Sequence, residues 1–235
     1  MGGTAIDNKK NAVSHGAGHR QRLRNRFLKG GLDSVADYEV LEMLLFTAIP
    51  RRDVKPLAKQ LIQAFGSLGG VLTADVTALR KMDGLGDAAI GAIKTVQAAA
   101  VLLAKSEMMD RPVVSNWKAL LDYVRTRLVH EKREQFRVLF LDRKNTILAD
   151  EKLGEGTVDH TPVYPREIVR RALELHASAL ILVHNHPSGD PSPSKADIAM
   201  TREVAEACKK LDIMVHDHVI VGRYGHTSFK SKGLL

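Results

Sequence analysis

Residues 179–197 read Ala-Leu-Ile-Leu-Val-His-Asn-His-Pro-Ser-Gly-Asp-Pro-Ser-Pro-Ser-Lys-Ala-Asp. The apolar run 179–183 has the length and composition of a buried strand. On a strand, side chains two apart share a face, so His184 and His186 project together from its C-terminal end. The Pro- and Gly-rich segment 187–193 turns the backbone, and a helix opening at Ser194 brings Asp197 back toward them. Two imidazoles and a carboxylate, with a fourth position left open, form the ligand set of a catalytic zinc site. The expectation is therefore one zinc ion per chain on His184, His186 and Asp197. Ser194-x-x-Asp197 ahead of Ile198 also reads as a capping box, with Ser194 as N-cap and Asp197 at N3. The two readings are compatible, because a capped first turn holds Asp197 rigidly where a ligand is needed.

Outward from that strand–loop–helix unit, residues 113–235 alternate strand and helix patterns. Helices are expected at 116–128, capped by Ser115 or Asn116, at 165–176 with Pro165 at N1, and at 195–210. Strands are expected at 135–141, 146–149, 180–183, 213–221 and 226–229, with Lys144-Asn145 as a hairpin turn. The fold class is α/β, a mixed sheet with helices on its faces. Residues 20–108 read as helical throughout, with helices at 38–46, 54–65, 75–82 and 87–104, and Arg111-Pro112 marks a linker. Residues 1–19 are polar and aperiodic and are expected to be a mobile tail.

Within the helical part, Asp83-Gly-Leu-Gly-Asp87 forms a Gly-x-Gly joint between two helices. Such a helix-hairpin-helix-like joint can hold a nucleic-acid phosphate on backbone N–H groups at a helix N-terminus. The plainer reading is a C-cap at Gly84 and relief of crowding at Gly86. Asp83 and Asp87 set negative charge beside the phosphate position. Lys9, Lys10, Arg20, Arg22, Arg24, Arg26 and Lys29 fall with no acid between Asp7 and Asp33. That run suits DNA or another anionic partner, and equally a solvated helix start.

The composition, 44% hydrophobic and 26% charged with net charge +8 over 235 residues, is that of a globular protein. No apolar run approaches 18 residues and no signal-peptide core opens the chain, so a cytoplasmic protein without a membrane partner is expected. Cys208 is the single cysteine, which excludes an internal disulfide and a thiolate zinc site. It is expected on a helix as a small apolar residue.

The His-x-His-x7-Ser-x2-Asp spacing resembles the JAMM signature of MPN (Mov34-type) metal-dependent isopeptidases. The segments Val163-Tyr-Pro-Arg-Glu-Ile168, Leu182-Val-His-Asn-His-Pro-Ser-Gly-Asp190 and Asp217-His-Val-Ile-Val-Gly222 resemble the bacterial RadC family, and the likeness covers residues 20–235. The resemblance implies an MPN/JAMM domain with cytidine-deaminase-like layering, preceded by a small all-α helix-hairpin-helix-like domain. It implies a zinc-dependent hydrolase acting on a peptide or protein substrate. Zinc in such a site lowers the pKa of its bound water to about 7, and a separate carboxylate carries the proton to the leaving amine. In JAMM enzymes that carboxylate is a glutamate at the start of an early strand, and Glu134 is the best match. Glu167 is the rival, although complementing its helix dipole is an adequate role for it; Glu131 and Glu151 are less favoured. Ser194 corresponds to the serine that hydrogen-bonds the oxyanion of the tetrahedral intermediate.

His216 and His218, two apart on a later strand, suggest either a second metal site or packing behind the first. No partner is assigned to His160, His176 or His226. Two further readings stay open: a DNA-associated module whose metal site is structural or nucleolytic, and an interaction scaffold with a degenerate MPN domain. The presence of all three ligands and Ser194 weighs against the scaffold. A zinc deaminase is excluded by the single cysteine. The adjacent letters His-Asn-His do not reproduce the HNH nuclease motif, which is spread over a ββα unit.

Overall fold

The computed structural model describes residues 14–109, 112–156 and 163–235. His160 and Arg111 lie outside them. The chain forms two compact units, residues 1–99 and 100–235.

In the first unit the described elements are α1 (Ser14–Gly30), α2 (Asp37–Ala48), α3 (Lys55–Phe65), α4 (Leu68–Thr73), α5 (Val76–Leu79) and the start of α6 (Asp87–Met109). Helical spacing puts Leu41 and Leu45 of α2, Leu57 and Leu61 of α3, and Ala89 and Ile93 of α6 into one core. Gly66, at φ 84°, closes α3 in the left-handed conformation that favours glycine. Residues 14–19, expected as tail, are helical, and His19 Nε2 reaches the buried Glu42 at 2.8 Å. Part of the basic run is structural. Arg20 donates to the carbonyls of Ile49, Pro50 and Arg52 beyond the end of α2, and Arg26 pairs with Glu39. Arg52 in turn donates to Gly84 O at the Gly-x-Gly joint.

By length and composition α6 is able to cross a bilayer, at 23 residues and mean hydropathy 1.4, although no uninterrupted apolar run in it reaches 18 residues. Its apolar residues are divided between alanine and larger side chains, and Lys94 and Lys105 break them. Lys94 donates to Leu72 O, and Ala89, Ile90 and Ile93 are core residues of the first unit.

The second unit is built on a five-stranded mixed sheet, β1 (Glu134–Leu141), β2 (Ile147–Gly156), β3 (Ala179–Asn185), β4 (Met214–Gly222) and β5 (Gly225–Ser228), in the order β2-β1-β3-β4-β5. β3 runs parallel to β4, and the other pairings are antiparallel. Alternation along the strands separates two cores. Leu139, Leu141, Ile181, Val183, Val219 and Val221 pack with α7 (Trp117–Leu128). Phe136, Val138, Phe140, Leu180 and Leu182 pack with α8 (Pro165–Glu174) and α9 (Lys195–Lys209). β3 is buried along its whole length, as its unbroken apolar run requires.

The β1–β2 turn is held by Asp142 Oδ1, which accepts from the N–H groups of Lys144 and Thr146, while Asn145 takes φ 62°. β2 extends to Gly156, past the expected end at 149, because its ladder continues as far as Glu134. Asn116 precedes α7 without capping it through its side chain, and its Nδ2 donates instead to Glu107 O.

Candidate metal centre

His184 stands near the end of the buried β3, and His186 follows immediately after the strand. Asn185 between them fixes the strand end: its Oδ1 accepts from Gln135 N–H, and its Nδ2 donates to the carbonyls of Glu131 and Arg133. The N–H of His186 donates to Val221 O on β4 at 2.9 Å. The following loop then lies down on the β4–β5 turn, with Tyr224 N–H donating to Gly189 O. That approach is close enough to require Gly222, where a Cβ would fall 2.3 Å from Gly189 O. Asp197 arrives from the first turn of α9, where Ser194 and Asp197 form the expected capping box. Its Oδ2 accepts from the N–H and the hydroxyl of Ser194, each at 2.7 Å.

The sequence-expected ligands converge. His184 Nε2 lies 3.0 Å from His186 Nε2 and 3.4 Å from Asp197 Oδ1, and His186 Nε2 is 3.5 Å from Asp197 Oδ2. One donor atom from each falls within 4.8 Å of the others.

The positions of the hydrogens decide what these atoms offer. His186 Nδ1 faces Asp190 O at 2.8 Å, and a carbonyl only accepts, so the ring hydrogen is on Nδ1 and Nε2 carries a lone pair. Thr201 must likewise give its hydroxyl hydrogen to Asp197 O, at 2.6 Å. Its oxygen therefore accepts from His218 Nδ1–H at 2.6 Å, leaving His218 Nε2 bare to accept from His184 Nδ1–H at 2.7 Å. His184 Nε2 then also presents a lone pair. Two lone pairs and a carboxylate face one another across about a hydrogen-bond length, which is repulsive unless a cation lies among them.

The electrostatics agree at His184 and His218. Burial pushes the His184 pKa down to about 4, against the charge of Asp197, so this ring is neutral. Burial also holds His218 well below its ordinary value, and the neighbouring His184 adds to it. His186 is raised: with no cation in place the Asp197 carboxylate facing Nε2 favours the protonated ring, burial opposes, and the Asp190 carbonyl and the charges of Asp197 and Glu134 add to the rise. Burial alone would raise Asp197, but His186, His184 and Ser194 hold its carboxyl well below the usual range.

Glu134 opens β1, with Phe136 paired to His184 across the ladder. Glu134, two residues before Phe136, shares its face of β1, and its charge is close enough to raise His186; the Phe136 ring stacks on His184 with centroids 6.1 Å apart. Glu167 instead pairs with Arg166 and Arg170 on α8, Glu151 pairs with Arg171, and Glu131 contributes its carbonyl to Asn185. The suggested second metal site does not form, because His216 Nε2 meets Asn145 Oδ1 at 2.5 Å while His218 turns to His184. Sequence reasoning left His218 among several possibilities and passed over Thr201. The signals available were a hydroxyl four residues after Asp197 and a His-x-His spacing on β4.

Residues 114–234 match the RadC-like JAB domain family, and residues 17–90 match the UPF0758 N-terminal family. The chain is 57% identical over 213 residues to a UPF0758 protein of Rhodobacter capsulatus, covering 91% of this chain and 100% of that relative. It is 54% identical over 217 residues to the UPF0758 protein SPO0054 of Ruegeria pomeroyi, covering 92% and 97%. The JAB domain is generally metal-dependent, and the three converging donors lie inside its matched residues. With both matches in the same order as the helical unit and the mixed sheet, the chain belongs to the RadC family and carries a JAB domain of the JAMM hydrolase type.

Proposed function

We propose that the chain is a zinc-dependent hydrolase that cleaves a peptide or isopeptide bond in a protein substrate. The observation that carries this reading is the pair of lone-pair imidazole nitrogens 3.0 Å apart beside the Asp197 carboxylate. Two neutral nitrogens and one anionic oxygen suit zinc, and three protein ligands leave a position for water or substrate. The bound ion would supply a Lewis acid for a carbonyl oxygen and lower the pKa of a coordinated water to about 7.

The rest falls to the chain's own residues. His184, His186 and Asp197 hold the ion. Glu134, whose charge reaches His186, accepts the proton of the attacking water and returns it to the leaving amine. Ser194 orients Asp197 through its N–H and hydroxyl. To donate to a substrate oxyanion its hydroxyl must turn away from Asp197 Oδ2, and its N–H keeps the carboxylate in place when it does.

Elemental analysis of the purified protein is expected to give one zinc per chain, lost in the His184→Ala/His186→Ala double variant. Full zinc retention in that variant would overturn the ligand assignment. Turnover of a peptide panel, set against a single-stranded DNA panel, then separates this reading from a DNA-associated nuclease.

A further inference from the structure

We propose that His218 and Thr201 are positioning residues for the metal: they lock His184 in the Nδ1–H tautomer, keeping its Nε2 lone pair aimed at the cation site. The inference rests on the metal reading above and adds two residues that do not touch the ion. Its basis is the direction of a hydrogen-bond chain with no slack. His184 Nδ1–H donates to His218 Nε2 at 2.7 Å, His218 Nδ1–H to Thr201 Oγ1 at 2.6 Å, and Thr201 O–H to Asp197 O at 2.6 Å. The last acceptor is a carbonyl, so no link can reverse without setting two bare acceptor atoms against each other.

The surroundings forbid other partners. His184 and His218 are fully buried, and so is Thr201. The His218 ring is stacked on Phe229 with centroids 4.5 Å apart, and it meets Phe136 edge-on at 5.7 Å. Neither ring can turn over to a solvent partner. The relay also closes a loop between ligands. It leaves His184 on β3, crosses β4 and α9, and ends on the backbone of Asp197, another ligand. A histidine free to choose its tautomer would spend part of its time with the hydrogen on Nε2, where it blocks the metal. Partners of this kind, one step behind a ligand, typically change metal affinity about 10–100-fold.

The test uses the full chain and zinc itself, with competition titration for affinity and 15N–1H spectra of the histidine rings for tautomer. Thr201→Val keeps the shape and removes the hydroxyl. It is expected to weaken zinc binding about 10–100-fold and to move His184 from a pure Nδ1–H signature toward Nε2–H in the metal-free protein. Thr201→Ser restores the hydroxyl and should recover both readouts. His218→Phe, which can retain the ring stacking while removing the acceptor, gives a second route to the same loss should the valine variant fold poorly. Unchanged affinity and an unchanged His184 tautomer in both Thr201→Val and His218→Phe would overturn the relay while leaving the metal site standing. If the unaltered protein binds zinc no better than His184→Ala, the metal reading fails and the relay falls with it.

Discussion

At the scale of single residues, the division of labour between holding an ion and moving a proton gives opposite mutational signatures. Glu134 is proposed to act on water and not on the ion, so Glu134→Gln should retain full zinc while losing about 10²–10⁴-fold in turnover. Glu167→Gln should leave turnover unchanged, since that side chain is 47% exposed and paired with Arg170. Steady-state rates with zinc content measured on the same samples decide it; equal rates for unaltered and Glu134→Gln protein would remove the glutamate from the mechanism. Cys208 tests burial itself. Its thiol is fully buried, and that burial pushes its pKa up to about 11. Because the thiolate is the nucleophile, native protein at neutral pH should resist iodoacetamide until denaturant is added, as mass spectrometry would show. The ligands were legible because a two-residue strand period and a capped helix are local facts. Glu134 was legible only through resemblance, since strand pairing across about fifty residues carries no local mark. His218 stayed ambiguous for the same reason: its role is set by a nitrogen on one neighbouring element and a hydroxyl on another.

Between elements, the sheet is tied to α7 by a buried polar cluster on the side away from the metal centre. Arg137 of β1 donates from Nε to Asp150 Oδ1 of β2 at 2.8 Å, and Tyr123 of α7 donates its hydroxyl to Asp150 Oδ2. The Arg137 and Asp150 side chains are only 9% and 2% exposed, so removing one charge strands the other. Asp150→Asn should therefore cost about 3–5 kcal/mol in urea unfolding, more than an exposed ion pair typically contributes. The same cluster predicts an alkaline effect. Burial first, and then the hydrogen bond and charge of Asp150, raise the Tyr123 pKa above its ordinary value of 10. An acid whose pKa is higher folded than unfolded favours the fold fully below its unfolded pKa, and that contribution is lost as pH climbs above it. Stability measured above pH ~10 should thus fall less steeply in Tyr123→Phe than in the unaltered protein. The elements the sequence misjudged have equally physical causes. α4 was overlooked because Gly69 and Gly70 argue against a helix, yet Ser67 caps it through Gly70 N–H and Val71 is buried beneath it. β2 was cut short because its outer half is polar; it belongs to an edge strand whose extent is set by its partner β1.

For the whole molecule, the informative feature is that the division between the two units falls inside a helix. Hydrophobic periodicity marks where helices give way to strands, near residue 112, but it cannot show which core each turn of a continuous helix serves. α6 serves both. Ala89, Ile90 and Ile93 are buried in the first core, whereas Met108 is 1% exposed in the second, with Val101 and Ala104 packed beside it. Asn116 reinforces that attachment through its hydrogen bond to Glu107 O. A fragment beginning at 112 would leave a cavity where Met108 packs, and deleting a buried methionine side chain alone typically costs about 2–5 kcal/mol. A fragment beginning at 100 keeps the last turns of α6 and the core they fill. The expected outcome is that residues 100–235 unfold cooperatively and retain the zinc stoichiometry of the full chain. Residues 112–235 should melt several degrees lower, because 1 kcal/mol at the midpoint shifts a domain of this size by roughly 3–6 °C. Thermal unfolding followed by circular dichroism, with metal analysis of each fragment, makes the comparison. Equal midpoints would show that the α6 turns after Ala99 are not part of the second core. Loss of zinc from both fragments, with folding intact, would mean instead that the metal centre depends on the first unit.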